Sequence, residues 1–289
     1  MFKITKKRLL AENIFLMDIE ARRVARTALP GQFVIVRVRE KGERIPLTIC
    51  DYDTEKGTIT IVVQVVGASS RLIAGLDEGD FIPSFVGPLG QPSEFVHEST
   101  EELRNKKILF IAGGLGTAPV YPQVAMLHKK GVEADVIIGA KTKNLVIFET
   151  EMRSVAQNVY ITTDDGSSGN KGLVTDMLKH LIDNENKHYD TVVAIGPMIM
   201  MKFVALTTKS YGIKTIVSLN TLMVDGTGMC GACRVTVGGK TKFTCIDGPE
   251  FDGHSVDFDE ALRRQTMYRR HEQESDCACL ADAVDSRKT

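Results

Sequence analysis

The sequence lacks the features that several classes of protein require. Its six cysteines are too few for a disulfide scaffold. Lys and Arg number 36 and Asp and Glu 37, so a net charge of −1 gives no overall field to attract nucleic acid or acidic lipid. The longest apolar run, 192–201, contains Gly196 and Pro197 and is shorter than the roughly 20 residues of a membrane span. The basic start is interrupted by Glu12 and Asn13, unlike a signal peptide. We therefore expect a cytoplasmic protein that binds neither nucleic acid nor membrane.

Hydrophobic periodicity divides the chain of 289 residues into distinct parts. Residues 1–100 contain short alternating runs separated by turns, which predict an antiparallel β-barrel. Residues 101–222 alternate continuous apolar runs with helical segments, which predicts an α/β domain with a parallel sheet. Residues 223–250 form a glycine- and cysteine-rich loop module, and residues 251–289 form a tail. The predicted fold class is α+β, with two main domains and a small C-terminal module.

Glycine-rich loops follow three of the apolar runs in the α/β region. Ligands of a parallel sheet bind beyond the carboxyl ends of its strands, and glycines let the backbone approach a phosphate. We therefore predict a nucleotide site formed by these loops. Its candidate residues are Gly113, Gly114, Gly116, Thr117, Ala118, Asp164, Asp165, Gly166, Gly196, Pro197 and Met198.

A second set of candidates lies in the barrel region. One segment combines a cation and a hydroxyl with an extended backbone, and another offers small residues and two hydroxyls after a strand. Together they indicate a site for a phosphate-bearing cofactor. The residues are Arg44, Pro46, Leu47, Thr48, Gly67, Ser69 and Ser70.

The cysteine-rich module carries the most specific motif. Asp225, Cys230, Cys233 and Cys245 follow the pattern D-x4-C-x2-C-x11-C. Plant-type [2Fe-2S] proteins use C-x4-C-x2-C and a distant fourth cysteine, so Asp225 occupies the first ligand position. A carboxylate is anionic and binds iron. Zinc held by the three cysteines with Asp225 or His254 is the alternative.

In their order along the chain, these motifs resemble those of the ferredoxin reductase-like flavoproteins. Within that family the chain is similar to the electron-transfer subunit of dihydroorotate dehydrogenase. It is more similar to the small subunit of NADH-dependent reduced ferredoxin:NADP+ oxidoreductase, also named the sulfide dehydrogenase β subunit, because Asp225 replaces a cysteine of the dihydroorotate branch. Two positions depart from the family pattern: Ile45 stands where a basic residue is usual, with Arg44 displaced by one, and Ile195 stands where many relatives have cysteine.

The resemblance implies an FAD-binding barrel, to which Val63 and Gln64 also contribute, an NAD(H)-binding sheet and a [2Fe-2S] cluster. It implies an oxidoreductase subunit that exchanges electrons with a larger flavin and [4Fe-4S] subunit in a heterodimer, and indirectly with ferredoxin, in an assembly that bifurcates electrons. The alternatives are the dihydroorotate dehydrogenase subunit and a non-catalytic nucleotide-binding module with structural zinc. No Ser-His-Asp or Cys-His constellation is present in the pattern, in agreement with redox chemistry carried by cofactors.

Two expectations concern specificity and the tail. Asp164 and Asp165 would repel a 2′-phosphate, which favours NAD(H), whereas Lys141 and Lys143 favour NADP(H). The apolar residues of the tail predict a segment laid against a partner, with folding back onto its own domain as the alternative. These residues are Phe251, Val256, Phe258, Leu262 and Tyr268.

Overall fold

The N-terminal part of the chain is an antiparallel sheet rolled into a nearly closed barrel. The computed structural model describes the backbone of residues 1–285 and the side chains of residues 1–277; residues 286–289, the end of the predicted tail, lie outside it. The barrel strands are β1 (Phe2–Ala11), β2 (Ile14–Glu20), β3 (Phe33–Arg37), β4 (Ile45–Asp53), β5 (Thr58–Gln64), β6 (Phe81–Ile82) and β7 (Ser84–Leu89). Two short helices accompany them, α1 (Arg22–Ala25) and α2 (Ala68–Ala74).

The connection between the edge strands explains why this sheet curls. The strand order is β6-β1-β2-β5-β4-β3-β7, so β6 and β7 are the two edges, yet only Pro83 separates them in sequence. A flat sheet cannot bring its opposite edges within one residue, so the sheet must close on itself. Ile59, Ile61 and Val63 alternate along β5 into the barrel core, as period two requires.

The second domain is a parallel sheet covered on both faces. Its strands are β8 (Ile108–Gly113), β9 (Ala134–Ala140), β10 (Asn158–Thr163), β11 (Asn170–Lys171), β12 (Thr191–Ile195) and β13 (Lys214–Ser218). Its helices are α3 (Thr100–Arg104), α4 (Thr117–Lys129), α5 (Glu149–Arg153), α6 (Val174–Lys179) and α7 (Met198–Ser210). Every residue of β8 and β12 is buried, because α6 and α7 pack on one face of the sheet and α4 on the other.

The cysteine-rich module follows and leads back to this sheet. Its elements are the hairpin β14 (Arg234–Val237) and β15 (Lys240–Phe243) and the short helix α8 (Thr244–Asp247). The chain continues through β16 (Glu250–Asp252), α9 (Phe258–Gln265) and α10 (Arg269–Asp285). Among the helices of the described residues, none has the length and apolar character needed to cross a bilayer.

The start of the predicted tail folds back onto its own domain. β16 pairs antiparallel with β13 and extends the parallel sheet by one strand. Phe258 of α9 is buried in the same core cluster as α7, and Phe251, Val256 and Leu262 pack against that cluster. These four residues therefore pack against their own domain, which corrects the expectation of a segment laid on another surface and agrees with the alternative that the sequence left open. Only Tyr268 of that set remains about half exposed, at 49%.

A buried polar cluster joins the domains. The Gln123 side chain of α4 donates a hydrogen bond from Nε2 to Glu250 Oε1 at 2.6 Å, and Ser93 Oγ donates to Gln123 Oε1 at 3.1 Å. Ser93 belongs to the linker after the barrel, and Glu250 begins β16. The second carboxylate oxygen of Glu250 is buried without a hydrogen-bond partner among the described residues. Burial raises the pKa of Glu250 from 4.5 to about 7.

We expect this carboxyl to make the folded chain less stable as the pH rises. Because its pKa is raised on folding, the native state binds the proton more tightly than the unfolded state, so stability falls between pH 4.5 and about pH 7 and then levels off. The change amounts to at most about 3 kcal/mol. Urea unfolding of the cofactor-loaded protein across this range measures it, and Glu250→Gln is expected to remove this pH dependence.

Glu12, an exposed residue between β1 and β2, provides the control. Glu12→Gln is expected to keep the wild-type slope of unfolding free energy against pH. An identical slope in wild type and Glu250→Gln would contradict the assignment.

Candidate functional site

A cleft of about 850 Å³ lies between the barrel and the carboxyl ends of the parallel strands. On the barrel side it is lined by β4 and β5, and on the sheet side by the ends of β8, β9, β10, β12 and β13. The predicted cofactor residues that line it are Pro46, Leu47, Thr48, Val63, Gln64, Ser70, Gly113, Gly114, Gly116, Ala118, Asp164, Gly196 and Pro197. Those outside its lining are Arg44, Gly67, Ser69, Thr117, Asp165, Gly166 and Met198.

Glycines allow the loops after β8 and β12 to pack directly on one another. A Cβ atom at Gly116 would overlap the carbonyl oxygen of Ile195, and one at Gly196 would lie 3.0 Å from the Cα of Gly113. Gly114 has φ +53°, and a Cβ there would meet open space. The loop therefore presents bare backbone to the cleft just before α4 begins. The free N–H groups of that helix start attract an anionic group.

Two predicted residues of these loops hold the structure without facing the cleft. The Thr117 hydroxyl donates a hydrogen bond to the Gly114 carbonyl at 2.9 Å, which fixes the loop against the start of α4. Met198 at the start of α7 is 4% exposed and packs in the core of the domain. Both residues lie next to the loops of the cleft in sequence, but their side chains stabilise the scaffold, and their role in cofactor binding stays a prediction.

The barrel wall of the cleft combines apolar surface with unpaired polar groups. Thr48 of β4 pairs with Phe33 of β3, and Leu47 stands beside it. The side chains of Thr48 and Gln64 line the cleft and make no hydrogen bond to any residue between 1 and 277. An extended apolar wall with a few polar groups suits a planar aromatic cofactor, as FAD would require.

The hydroxyls after β5 are already engaged within the protein. Ser70 Oγ accepts hydrogen bonds from the N–H groups of Val66 and Gly67, at 2.9 and 3.0 Å. Ser69 Oγ donates to the Glu43 carboxylate. These contacts cap and hold the start of α2. The phosphate-binding role of Gly67, Ser69 and Ser70 therefore stays a prediction.

The ends of β9 and β10 contribute a pair of opposite charges. Lys141 and Asp164 both line the cleft. Asp165 instead accepts hydrogen bonds from the N–H and hydroxyl of Ser167, which lower the pKa of its carboxyl, and Gly166 packs against Lys171. Of the two predicted aspartates, Asp164 is thus the one placed to meet a nucleotide.

Several residues that line the cleft were not predicted from the sequence. Ser218 ends β13, and Leu219 and Asn220 follow it, so the rule that ligands lie beyond strand ends would have identified them. A wall of apolar side chains also borders the cleft. The helical spacing of apolar residues in this part of the sequence is the signal that could have identified it. That wall consists of the exposed Leu173, Ile199 and Phe203 and the partly buried Met200.

Cys233 and Cys245 form a buried pair of sulfur atoms. Each is 1% exposed, and their Sγ atoms lie 3.3 Å apart. Burial and the neighbouring Cys233 raise the pKa of Cys245 to about 12. Two thiolates at this distance repel each other unless a cation lies between them, so the pair suits two ligands of one metal atom.

The other two predicted ligands lie together on the preceding loop. Backbone N–H groups of Ala232, Asp225 and Val224 favour the thiolate of the exposed Cys230 and lower its pKa. Asp225 Oδ2 accepts hydrogen bonds from the hydroxyl and N–H of Thr227 at 2.6 and 2.9 Å, and these bonds lower the pKa of its carboxyl. Asp225 and Cys230 are therefore a second anionic pair.

The arrangement favours a two-iron cluster over a single zinc ion. Among the described residues, no three His, Cys, Asp or Glu side chains converge as ligands of one metal ion. His254, the alternative zinc ligand, instead lies 3.1 Å from the Thr208 hydroxyl in α7. Two pairs of candidate ligands would suit a [2Fe-2S] cluster, in which each iron takes two protein ligands.

The cleft and the cysteine pair share a wall. Phe33 and Met223 line the cleft, and both belong to the apolar cluster that contains Cys233 and Cys245. A cofactor in the cleft and a metal cluster at the cysteines would therefore be separated by little more than these side chains.

Comparison with known proteins assigns both parts of this site. A family model for the iron-sulfur cluster binding domain of dihydroorotate dehydrogenase B matches residues 220–257, and the oxidoreductase NAD-binding domain matches residues 110–206. The chain is 60% identical to an uncharacterized protein in the adh 3′ region of Clostridium beijerinckii, over 94% of this chain and 92% of that protein. It is 45% identical to the Thermotoga maritima homolog of the dihydroorotate dehydrogenase B (NAD(+)) electron transfer subunit, over 94% and 93% of the two chains.

A solved structure gives the same result. A chain of the NADH-dependent reduced ferredoxin-NADP oxidoreductase structure, described in connection with flavin-based electron bifurcation, is 44% identical, with a TM-score of 0.87 and coverage of 95% of this chain and 96% of that chain. These similarities confirm the predicted fold and the predicted cofactors FAD, NAD(H) and [2Fe-2S]. The chain belongs to the family of dihydroorotate dehydrogenase B electron transfer subunits and their homologues, and it is an electron-transfer subunit of an NAD(H)-linked oxidoreductase.

Proposed function

We propose that this chain passes electrons between NAD(H) and a larger subunit of the reduced ferredoxin-NADP oxidoreductase type, in an assembly that bifurcates electrons. The observation that carries the proposal is the shared wall of Phe33 and Met223, which joins a nucleotide cleft to a paired-ligand metal module. The likeness to a chain of that oxidoreductase over nearly the whole length supports the type of assembly. The proposed site of action is the cytoplasm.

The residues of the cleft bind and orient the cofactors. FAD, when bound, exchanges two electrons as hydride with nicotinamide and single electrons with an iron–sulfur cluster. The backbone of Gly113, Gly114 and Gly116 would hold the nucleotide at the strand ends, while Leu47 and Thr48 would hold the flavin on the barrel wall. The apolar walls exclude water and so protect the hydride from competing reactions. No general base is required, so orientation is the contribution of the protein.

The surface around the cysteines supports docking of a larger redox subunit. Val224, Met229 and Ile246 are apolar and exposed, with Met229 at 86%, and they belong to the same module as the exposed Cys230. Exposed apolar side chains at this position are suited to an interface that also brings the metal cluster close to its electron acceptor. We propose that this acceptor subunit carries flavin and [4Fe-4S] clusters and exchanges electrons with ferredoxin.

A dihydroorotate-oxidising subunit is the second candidate partner. The match of residues 220–257 to the dihydroorotate dehydrogenase B iron–sulfur domain favours it. Reconstitution of this chain with each type of large subunit distinguishes the two candidate partners. Transfer of electrons from NADH to the ferredoxin-linked subunit is the expected result, and a productive complex only with the dihydroorotate-oxidising subunit would overturn the proposal.

Anaerobically purified protein is expected to contain FAD and a [2Fe-2S] cluster with Asp225 as its fourth ligand. Asp225→Asn keeps an oxygen that accepts the Thr227 and Met229 N–H bonds but removes the anion, so iron and sulfide content should fall while FAD content stays unchanged. Metal and sulfide analysis with EPR measures this. Asp225→Cys provides the matched control, because it restores an anionic ligand and should retain the cluster with a changed EPR spectrum. Full cluster content with an unaltered spectrum in Asp225→Asn would refute the ligand role.

We expect NADH to be preferred over NADPH. Asp164 lines the cleft and its charge repels a 2′-phosphate, whereas Lys141 attracts one. Asp164→Ala should therefore narrow the ratio of kcat/KM for NADH over NADPH by about tenfold, and Lys141→Ala should widen it. Assays with an artificial acceptor measure both ratios. Asp165→Ala is the control, because it alters an aspartate outside the cleft and should leave both ratios unchanged. A wild-type preference for NADPH would contradict the expectation and show that the charge of Lys141 outweighs that of Asp164.

The proposed docking surface is also testable. A charge buried at an interface opposes binding, so Met229→Glu should weaken the affinity for the large subunit by about tenfold or more. Calorimetry with the cofactor-loaded subunits measures the affinity. Leu9→Glu places the same charge at an exposed leucine of the barrel strand β1 and should leave binding unchanged. Equal affinities for both variants and wild type would exclude this surface.

A further inference from the structure

Arg44 lies against the iron–sulfur loop. The sequence placed Arg44 in a site for a phosphate-bearing cofactor, but Arg44 is absent from the lining of the cleft. Its Nη2 atom instead donates a hydrogen bond to the backbone carbonyl of Asp225 at 3.2 Å, across 181 residues of sequence. We infer that Arg44 is a positioning residue of the iron–sulfur loop, which holds the Asp225 segment on the barrel and raises the reduction potential of the cluster. This inference rests on the proposed ligand role of Asp225.

The loop that Arg44 contacts is packed closely on the barrel. Gly226 follows Asp225 with φ +85°, and a Cβ atom there would overlap Ile35 and lie 3.0 Å from Leu89. The absence of a side chain thus lets the backbone of the loop lie flat on β3 and β7. Arg44, immediately before β4, adds a hydrogen bond at the edge of this apolar contact between the loop and the barrel. The apolar contact and the Arg44 hydrogen bond therefore determine the position of Asp225 together.

The charge of Arg44 has no other partner in the described part of the chain. No carboxylate of residues 1–277 forms an ion pair with it, and its Nε atom is buried without a hydrogen-bond acceptor. The neighbouring Glu43 is engaged with the Ser69 hydroxyl. A guanidinium remains charged at all relevant pH values, and partial burial strengthens its field. The charge of Arg44 therefore acts on the negative charge of the adjacent loop.

The sign of the effect on the cluster follows from this charge. One-electron reduction adds one negative charge at the ligand loop, and the nearby cation stabilises the reduced form more than the oxidised form. Removing the cation should therefore lower the midpoint potential. At an effective dielectric constant of about 20, unit charges about 12 Å apart interact by enough to change the reduction equilibrium about tenfold, equivalent to about 59 mV for one electron.

The test measures the midpoint potential of the cluster and the FAD content of the intact, cofactor-loaded chain. An EPR-monitored redox titration of Arg44→Gln should show a potential lower by about 59 mV, with one FAD retained per chain. Arg44→Lys keeps the charge, so its midpoint potential should stay close to the wild-type value. This variant separates the effect of the charge from the effect of the side-chain shape. Arg37→Gln is the matched control: it removes an arginine of β3 that donates within its own hairpin to the Glu40 carbonyl, and should leave the potential unchanged.

The outcomes distinguish the inference from the proposed function. Loss of FAD from Arg44→Gln with an unchanged cluster potential would overturn the inference and return Arg44 to the flavin phosphate. An unchanged potential and unchanged FAD content would also overturn it. If wild-type protein holds no cluster at all, the proposed function itself fails. Should Arg44→Gln fold poorly, Arg44→Met takes its place, because it also removes the charge and keeps an apolar stem. A lower potential in Arg44→Met than in wild type and Arg44→Lys would support the charge assignment, and equal potentials in all three would overturn it.

Discussion

The packing of Phe33 and Met223 between the cleft and the cysteine pair is the contact on which the rest of this molecule depends. Phe33 comes from the barrel and Met223 from the start of the cysteine-rich module, and both belong to one apolar cluster with Cys233 and Cys245, so this packing keeps together two sites built by different parts of the chain. Protein interiors are close-packed and resist changes of even one methylene, so the distance between the two sites is fixed. A fixed, short separation is what single-electron transfer requires, because its rate falls steeply with distance.

Hydrogen bonds add to this apolar packing and orient the parts of the chain relative to one another. Ser93, Gln123 and Glu250 join the linker, α4 and β16 in a buried cluster, and Arg44 joins the barrel to the Asp225 loop. Both contacts include a buried atom without a partner among the described residues, Glu250 Oε2 and Arg44 Nε. Such atoms lower stability, and they occur here where separate modules meet around the cofactor sites. Each of these two junctions therefore carries the cost of a buried polar atom without a partner.

Prediction from sequence succeeded where the signal was local. Alternating runs such as 58–64 and continuous apolar runs such as 108–113 each follow from the environment of a single strand, so the barrel and the parallel sheet could be recognised. Glycine loops at strand ends were found for the same reason. Prediction was less successful for side-chain direction: Thr117 and Met198 lie at the right places in sequence, yet they hold the scaffold, while Ser218 and Asn220 line the cleft without having been identified.

The sequence by itself determined the two-domain architecture and the cysteine motif, because strand periodicity and the spacing of Cys230 and Cys233 reflect interactions between residues close together in the chain. Only the tertiary structure decided which distant residues meet. It placed Phe258 in the core of the sheet domain, when the composition of the tail was equally compatible with a partner surface. It also placed Arg44 beside Asp225, although a flavin phosphate site was the expectation from its position in sequence. Burial and long-range hydrogen bonding depend on how complete elements pack, and no local pattern records that packing.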